Sequence, residues 1–118
     1  MNYSDIIHTL SDAGLDVALP GAKQDVCTSP YVVVQDAGTY PFAGSPTLGY
    51  SLFTVHCYVP LRAYRQLPIL IESVKSALAA LAPDLRPTGD SGVHLINDKF
   101  RAHEGSVQYV ILRRTILP

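Results

Sequence analysis

The sequence predicts a single α+β domain over residues 1–118, in which a mostly antiparallel sheet of four to five strands carries two helices on one face. Two segments repeat apolar residues at helical spacing, and several others are rich in β-branched and aromatic residues. These segments follow one another as helix, strands, long strand, helix and strands, without an internal repeat. A chain of 118 residues is long enough to bury one hydrophobic core without disulfides or metals.

The first helix is predicted over residues 3–13, where apolar side chains recur at steps of three and four. Asn2 or Ser4 is suited to cap its free N–H groups, and Asp5 lies in the first turn, where the helix dipole favours a carboxylate. Gly14 can end the helix in a left-handed conformation.

Three segments of the N-terminal half are predicted to be extended, namely residues 15–19, 31–36 and 50–59. Residues 21–29 are polar and predict a loop. Residues 37–49 contain three glycines and two prolines, which argue against regular structure. This segment carries Tyr40 and Phe42, and the sequence is compatible with two positions for their rings: folded back onto the domain, or facing a partner.

The longest strand presents two different faces. Phe53, Val55, Cys57 and Val59 are expected to face the core, while Leu52, Thr54, His56 and Tyr58 point the other way. The second set is amphipathic rather than charged, so it predicts a surface that another protein covers.

The second helix is predicted from about residue 62 to residue 81, with its regular part starting near Leu67 so that Pro68 falls in the first turn. Residues 85–92 are rich in turn formers, with room for a short strand at their start. Two strands are then predicted over residues 93–100 and 106–117, joined by a turn at Gly105.

No pattern of residues predicts catalysis or metal binding. The four histidines (His8, His56, His94 and His103) lie on different elements, and no Cys-x-x-Cys motif is present. Cys57 follows His56, but adjacent residues of a strand point to opposite faces and do not share a proton. Asp98 and Glu104 are able to converge across a hairpin, although solvated loop charges are the usual outcome. We therefore predict a protein that is not an enzyme and has no cofactor.

Composition narrows the class of partner. A formal charge of −1 provides no basic field for phosphate binding, which disfavours dedicated nucleic-acid binding. No apolar run is long enough to span a membrane, and residues 1–5 do not begin a secretory signal. The two cysteines suit buried thiols in a reducing compartment. Charged residues make up only 16%, which favours a surface partly hidden against other chains.

The order of these elements resembles the small tail-terminator, or tail-completion, proteins of long-tailed bacteriophages and prophages. The likeness rests on the short first helix, the P-Y-V-V-V-Q strand at residues 30–35 and the F-T-V-H-C-Y strand at residues 53–58. It continues through the helix that begins near Tyr64 and the closing strand that ends in Arg113 and Arg114.

The resemblance implies a structural role in virion assembly. Such proteins form a ring, usually of six copies, at the head-proximal end of the tail, where they bind the major tail tube protein and the head–tail connector. The expected location is the tail or neck of the virion, and the host cytoplasm during assembly. The residues expected at the contact between copies or with a partner are Tyr40, Phe42, Leu52, His56, Tyr58, Arg62 and Arg65. One patch would be the strand face at His56 and Tyr58, and the other the helix flank near the two arginines.

Two other classes of function are compatible with the sequence. The first is a dimeric α+β domain that binds or senses a small molecule, which would carry an apolar pocket with a few convergent polar groups. The second is an enzyme, which would need a cleft of titratable groups with perturbed pKa values.

Overall fold

A computed structural model of the chain describes residues 2–44, 47–92 and 94–114. It confirms the α+β class, with two helices packed on one face of a mixed, mostly antiparallel sheet of six strands. The elements are α1 (Tyr3–Asp12), β1 (Val17–Ala18), β2 (Tyr31–Pro41), β3 (Leu48–Pro60), α2 (Gln66–Leu78), β4 (Leu85–Ser91), β5 (Leu95–Asn97) and β6 (Ala102–Arg114). Short 3₁₀ turns over Leu61–Ala63 and Ala79–Leu81 flank α2.

The two long strands β3 and β6 form the centre of the sheet. The strand order is β1-β2-β3-β6-β4, and β5 pairs with the start of β6. The β3–β6 ladder is continuous from Leu48 opposite Arg114 to Pro60 opposite Ala102. All pairings are antiparallel except that of β1 with β2.

One face of the sheet forms the hydrophobic core with both helices. The odd-numbered side chains of β3 from Phe53 to Val59 are buried there, as the alternation predicts. Leu67, Leu70, Val74 and Leu78 of α2 pack against them, together with α1. Cys57 and Cys27 are both buried, as the sequence predicts for the two thiols.

Both helices begin where local chemistry favours a helix start. In α1, the Asn2 side chain accepts a hydrogen bond from the Asp5 N–H, and the Asp5 carboxylate accepts one from the Asn2 N–H at 2.8 Å. This reciprocal pair satisfies two of the N–H groups that a helix start leaves free. Helix α2 begins at Gln66, so Pro68 lies in its first turn, where a missing N–H is tolerated.

The edges of the sheet are occupied by the chain's own groups. Strand β1 is only two residues long. Beyond it, the backbone of β2 is bonded locally: the Val34 carbonyl accepts from the Tyr3 hydroxyl, the Ala37 carbonyl from the Tyr40 hydroxyl, and the Gly38 N–H donates to Asp36. At the other edge, β4 contains Pro87, which has no N–H, and a register shift between Pro87 and Ser91.

The prediction of irregular structure over residues 37–49 is wrong. Strands β2 and β3 both extend into this segment, and Thr39, Tyr40 and Pro41 pair with residues 51, 50 and 49. A bulge between Asp36 and Thr39 places Gly38 at φ 105°, a conformation that glycine adopts without strain. The glycines and prolines of this segment therefore shape a hairpin rather than prevent one.

The turn predicted at Gly105 is also wrong. Gly105 lies within β6 opposite Cys57, and the turn between β5 and β6 falls at residues 98–101. A Cβ atom on Gly105 would lie 3.0 Å from the Cδ1 atom of Ile71, so glycine serves the close approach of α2 to the sheet.

Other boundaries also differ from the sequence prediction. Helix α2 ends at Leu78 and continues only as a 3₁₀ turn to residue 81, and β1 covers two of the five residues predicted at 15–19. Residues 85–91 form a strand throughout, because they pair with β6. Strand β5 covers only three residues of the segment predicted at 93–100. Strand β6 begins at Ala102 rather than at residue 106, and the predicted residues 115–117 lie outside the described part of the chain.

Candidate interface on the open face of the sheet

The face of the sheet opposite the helices is the candidate site. It carries the even-numbered side chains of β3 and β6, which face each other in the ladder as Tyr50 with Leu112, Leu52 with Val110, Thr54 with Gln108, His56 with Ser106, and Tyr58 with Glu104. Neither α1 nor α2 packs on this face, because both belong to the core on the other side. We refer to it as the open face.

One end of the open face is apolar and exposed. Tyr40, Phe42, Leu48, Tyr50 and Leu112 form this end, which we call the hairpin patch. The rings of Tyr40 and Phe42 lie 5.6 and 5.7 Å from the ring of Tyr50, so both fold back onto the sheet. Even so, Tyr40 stays 43% exposed, Phe42 44% and Leu112 53%. The hairpin thus holds its aromatic rings in place while leaving almost half of their surface in water.

The middle of the open face is polar. His56 Nε2 lies 2.7 Å from Gln35 Oε1, and because an amide oxygen only accepts, the imidazole donates. Desolvation lowers the pKa of His56 and so favours the neutral ring, whereas the Glu104 charge acts in the opposite direction. Thr54 is nearly buried between its neighbours on β2 and β6.

The other end of the open face is an aromatic cleft of about 520 Å³. The rings of Tyr31 and Tyr58 stack at 5.0 Å, and Phe100 meets Tyr58 edge-on at 6.2 Å. Two ammonium groups lie over this cluster, Lys23 at 5.3 Å from the Tyr31 ring and Lys99 at 5.4 Å from the Phe100 ring. The loop before β2 forms one wall of the cleft and covers this end of the sheet only in part.

Glu104 lies opposite Tyr58 in the β3–β6 ladder. Its carboxylate accepts a hydrogen bond from the Tyr58 hydroxyl, and burial, followed by this bond and the carboxylate charge, raises the pKa of Tyr58. Burial likewise raises the pKa of Tyr31 to about 12, with smaller effects from Cys27 and Glu104. Both phenols are therefore protonated at neutral pH, and Tyr58 belongs to a packed cluster rather than to a free surface.

Arg62 and Arg65 lie apart from the open face. Both belong to the connection between β3 and α2, beyond the end of the sheet that carries the cleft. Arg62 donates to the Thr28 carbonyl at 3.5 Å, and the Arg65 guanidinium lies 5.8 Å from the centre of the Tyr64 ring.

The structure thus divides the predicted interface residues into three groups. Tyr40, Phe42 and Leu52 lie together at the apolar end of the open face, His56 and Tyr58 lie towards the cleft, and the arginines lie beyond it. Sequence reasoning missed Leu48, Tyr50 and Leu112 of the hairpin patch. Leu48 lies in the segment that the sequence predicts to be irregular, so no alternation pointed to it. The alternation of the last strand, by contrast, places Leu112 on the same side as Val110 and could have identified it.

A second cleft, of about 380 Å³, lies between the end of α2 and β4. Its lining is mainly apolar, with Leu78, Leu85 and Val107 contributing, and Lys75 stands at its rim. It lies mainly on the core side of the sheet, and Gln108 of β6 also lines it.

Among the residues that the structure describes, no three His, Cys, Asp or Glu side chains come together as a metal site. His56 and Cys57 point to opposite faces of β3, as expected. In the same described ranges, no helix has the length and apolar character needed to cross a membrane.

Comparison with known proteins adds no assignment: no known family matches the sequence, and no curated protein is significantly similar to it.

Proposed function

We propose that the protein is a structural subunit of virion assembly, of the tail-terminator type, which forms a ring, of six copies when assembled. In this role it caps the tail tube and binds the head–tail connector. The proposal rests on the resemblance of the sequence pattern together with one structural observation, the exposed hairpin patch on a sheet face that neither helix covers.

The hairpin patch has the composition of a protein contact. Aromatic residues are enriched at the centres of interfaces, and charged residues are depleted there. The patch combines three aromatic rings with two leucines, and the pairing of Tyr40 and Phe42 with Tyr50 restrains their rings before any partner arrives. Restrained rings lose less conformational entropy on binding than mobile side chains do.

The open face also differs from one end to the other, which suits a ring. In a ring each copy contacts its neighbours through two different surfaces, whereas a two-fold dimer uses the same surface twice. The hairpin patch is apolar, and the aromatic cleft at the opposite end is rimmed by Lys23 and Lys99. We propose that the hairpin patch contacts a neighbouring copy.

The experiment measures the mass of the assembly by size-exclusion chromatography with light scattering. Wild-type protein is measured over a range of concentrations, alone and with the major tail tube protein of the same phage. We expect a multimer in at least the second condition, and annular particles in electron micrographs. A protein that stays monomeric with the tube protein and forms no rings would overturn the proposal.

A matched pair of variants locates the contact. Leu112→Asp places a carboxylate in the hairpin patch, and Ile69→Asp places one at an equally exposed aliphatic position on α2, outside the open face. Leu112 is 53% exposed and Ile69 67%, so neither change removes core packing. We expect Leu112→Asp to weaken assembly at least ten-fold and Ile69→Asp to assemble like wild type. The reverse result would place the contact on the helices.

The cleft between α2 and β4 favours a second candidate, a dimeric domain that binds a small molecule. Its volume of about 380 Å³ and its apolar lining fall in the usual range for ligand pockets. If this candidate is right, the protein is a dimer that does not bind the tube protein. At least one compound in a thermal-shift screen should then raise its unfolding temperature.

A further inference from the structure

We propose that His94 and His103 together bind a divalent transition-metal ion of the copper and nickel class. The site lies at the end of the sheet away from the hairpin patch, where His94 precedes β5 and His103 is the second residue of β6. It is independent of the proposed assembly function.

The spacing of the two rings fits a chelating pair. His94 Nε2 lies 2.9 Å from His103 Nδ1, and the ring centres are 5.0 Å apart. With metal–nitrogen bonds of about 2.0–2.1 Å, neighbouring ligands lie about 2.8–3.0 Å apart at a right angle and about 3.3–3.4 Å apart in a tetrahedron. The observed separation matches the right-angle case, which is the geometry that Cu²⁺ and Ni²⁺ prefer.

The His103 ring is already oriented as a metal ligand. Its Nε2 lies 3.1 Å from the Leu61 carbonyl oxygen, which only accepts, so Nε2 carries the proton. Nδ1 therefore keeps its lone pair and directs it towards His94. A histidine that ligates a metal through one nitrogen commonly donates its other N–H to a backbone carbonyl in this way. The Tyr64 ring, 5.9 Å away, packs against the same imidazole and restrains it further.

His94 supplies the movable half of the pair. Without a metal, its Nε2–H donates to His103 Nδ1, since that atom holds the lone pair. With a metal, His94 changes tautomer, so that its proton moves to Nδ1 and Nε2 becomes a ligand. Because the hydrogen bond lies along the line between the two nitrogens, the rings have to turn before both lone pairs meet on one ion, and the exposed His94 is able to make most of this turn. No third His, Cys, Asp or Glu of the described ranges joins the pair, so water or a partner's group completes the coordination.

The proposal is tested by isothermal titration calorimetry of the full-length, tag-free protein with NiCl₂, CuCl₂ and ZnCl₂ in a non-coordinating buffer at pH 7.5. We expect one equivalent of Cu²⁺ to bind most tightly, then Ni²⁺, with Zn²⁺ weaker than Ni²⁺. His94→Ala should lower the Ni²⁺ affinity at least ten-fold, and His8→Ala, at an exposed histidine of α1, should leave it unchanged. Far-ultraviolet circular dichroism checks that each variant is folded.

Three results would overturn the proposal: no saturable Ni²⁺ binding by the wild type, equal binding by wild type and His94→Ala, or tighter binding of Zn²⁺ than of Ni²⁺. The electron paramagnetic resonance spectrum of the Cu²⁺ complex gives an independent readout. Hyperfine coupling to two imidazole nitrogens is expected in the wild type and to one in His94→Ala, and coupling to fewer than two in the wild type would also refute the site.

Discussion

Replacement of Gly105 by valine tests how closely α2 lies on the sheet. A Cβ atom at this position would lie 3.0 Å from Cδ1 of Ile71 and 3.6 Å from Cδ2 of Leu67. Carbon atoms in contact normally lie about 3.5–4.0 Å apart, so even the first added carbon is too close to Ile71. The two γ-carbons of valine extend further from the strand, and either α2 or the Ile71 side chain has to move.

The expected loss of stability follows from two opposing effects. Added carbons in a filled core cost about 1–3 kcal/mol, and the upper part of this range applies because three carbons enter a space too small for one. Replacement of a glycine in a strand also stabilises the protein by about 0.5–1 kcal/mol, because glycine loses more conformational freedom on folding than other residues do. The net loss is therefore about 2 kcal/mol. With a urea dependence of about 2 kcal/mol per M, the midpoint of unfolding falls by about 1 M.

Urea unfolding followed by circular dichroism and tyrosine fluorescence measures this change, since the chain has seven tyrosines and no tryptophan. Gln108→Val, on the open face of the same strand, is the control and should stay within about 0.5 kcal/mol of wild type. In the Gly105→Val background, Ile71→Ala should cost less than it does in wild type, because it removes the colliding group. A Gly105→Val protein as stable as wild type, or strictly additive effects of the two substitutions, would refute the close approach of α2.

Three other predictions concern the helix start, the core and pH. Asn2→Ala removes the cap of α1 and should cost about 1 kcal/mol in urea unfolding. Val55→Asp removes a fully buried side chain and leaves a carboxyl group without a partner, which together should lower the free energy of unfolding by about 3–6 kcal/mol. Circular dichroism should therefore show little folded protein. A cooperative unfolding transition near that of wild type would contradict the observed strand alternation. Burial raises the pKa of the Cys57 thiol to about 12, so its contribution to stability is complete below pH 9 and is lost as pH rises from there towards 12. Ionisation of this thiol in the unfolded chain should lower the free energy of unfolding by about 1 kcal/mol at pH 10, and Cys57→Ala should flatten that part of the pH profile.

The sequence predicts most of the fold because its elements are long and regular. The alternation in β3 and the apolar steps of α2 each repeat often enough to identify both the element and its buried face. The two largest errors fall at glycines. Gly105 looks like a turn former in the sequence, but its role depends on Ile71, which is distant along the chain and close only after folding. Likewise, Gly38 permits a bulge within the β2–β3 pairing, which local composition does not distinguish from a loop.

The candidate interface is only partly predictable for the same reason. Alternation places Leu52 and His56 on the face away from the core. Which of these side chains remain accessible depends on the loop before β2 and on Phe100, which partly cover Tyr58. The His94–His103 pair is a further example, because the two histidines are nine positions apart in the chain and the register of β5 against β6 brings their rings together.

The edges of the sheet along β2 and β4 affect how copies of this protein associate. An unpaired strand edge is a template for a strand from another molecule, and repeated addition of this kind produces amyloid-like fibres. Here Tyr3, Asp36 and Tyr40 already bond the backbone of β2, and Pro87 interrupts β4. Amyloid-like growth is thereby disfavoured along β2 and β4, and association between folded copies is directed to side chains, whose shape limits how many molecules join.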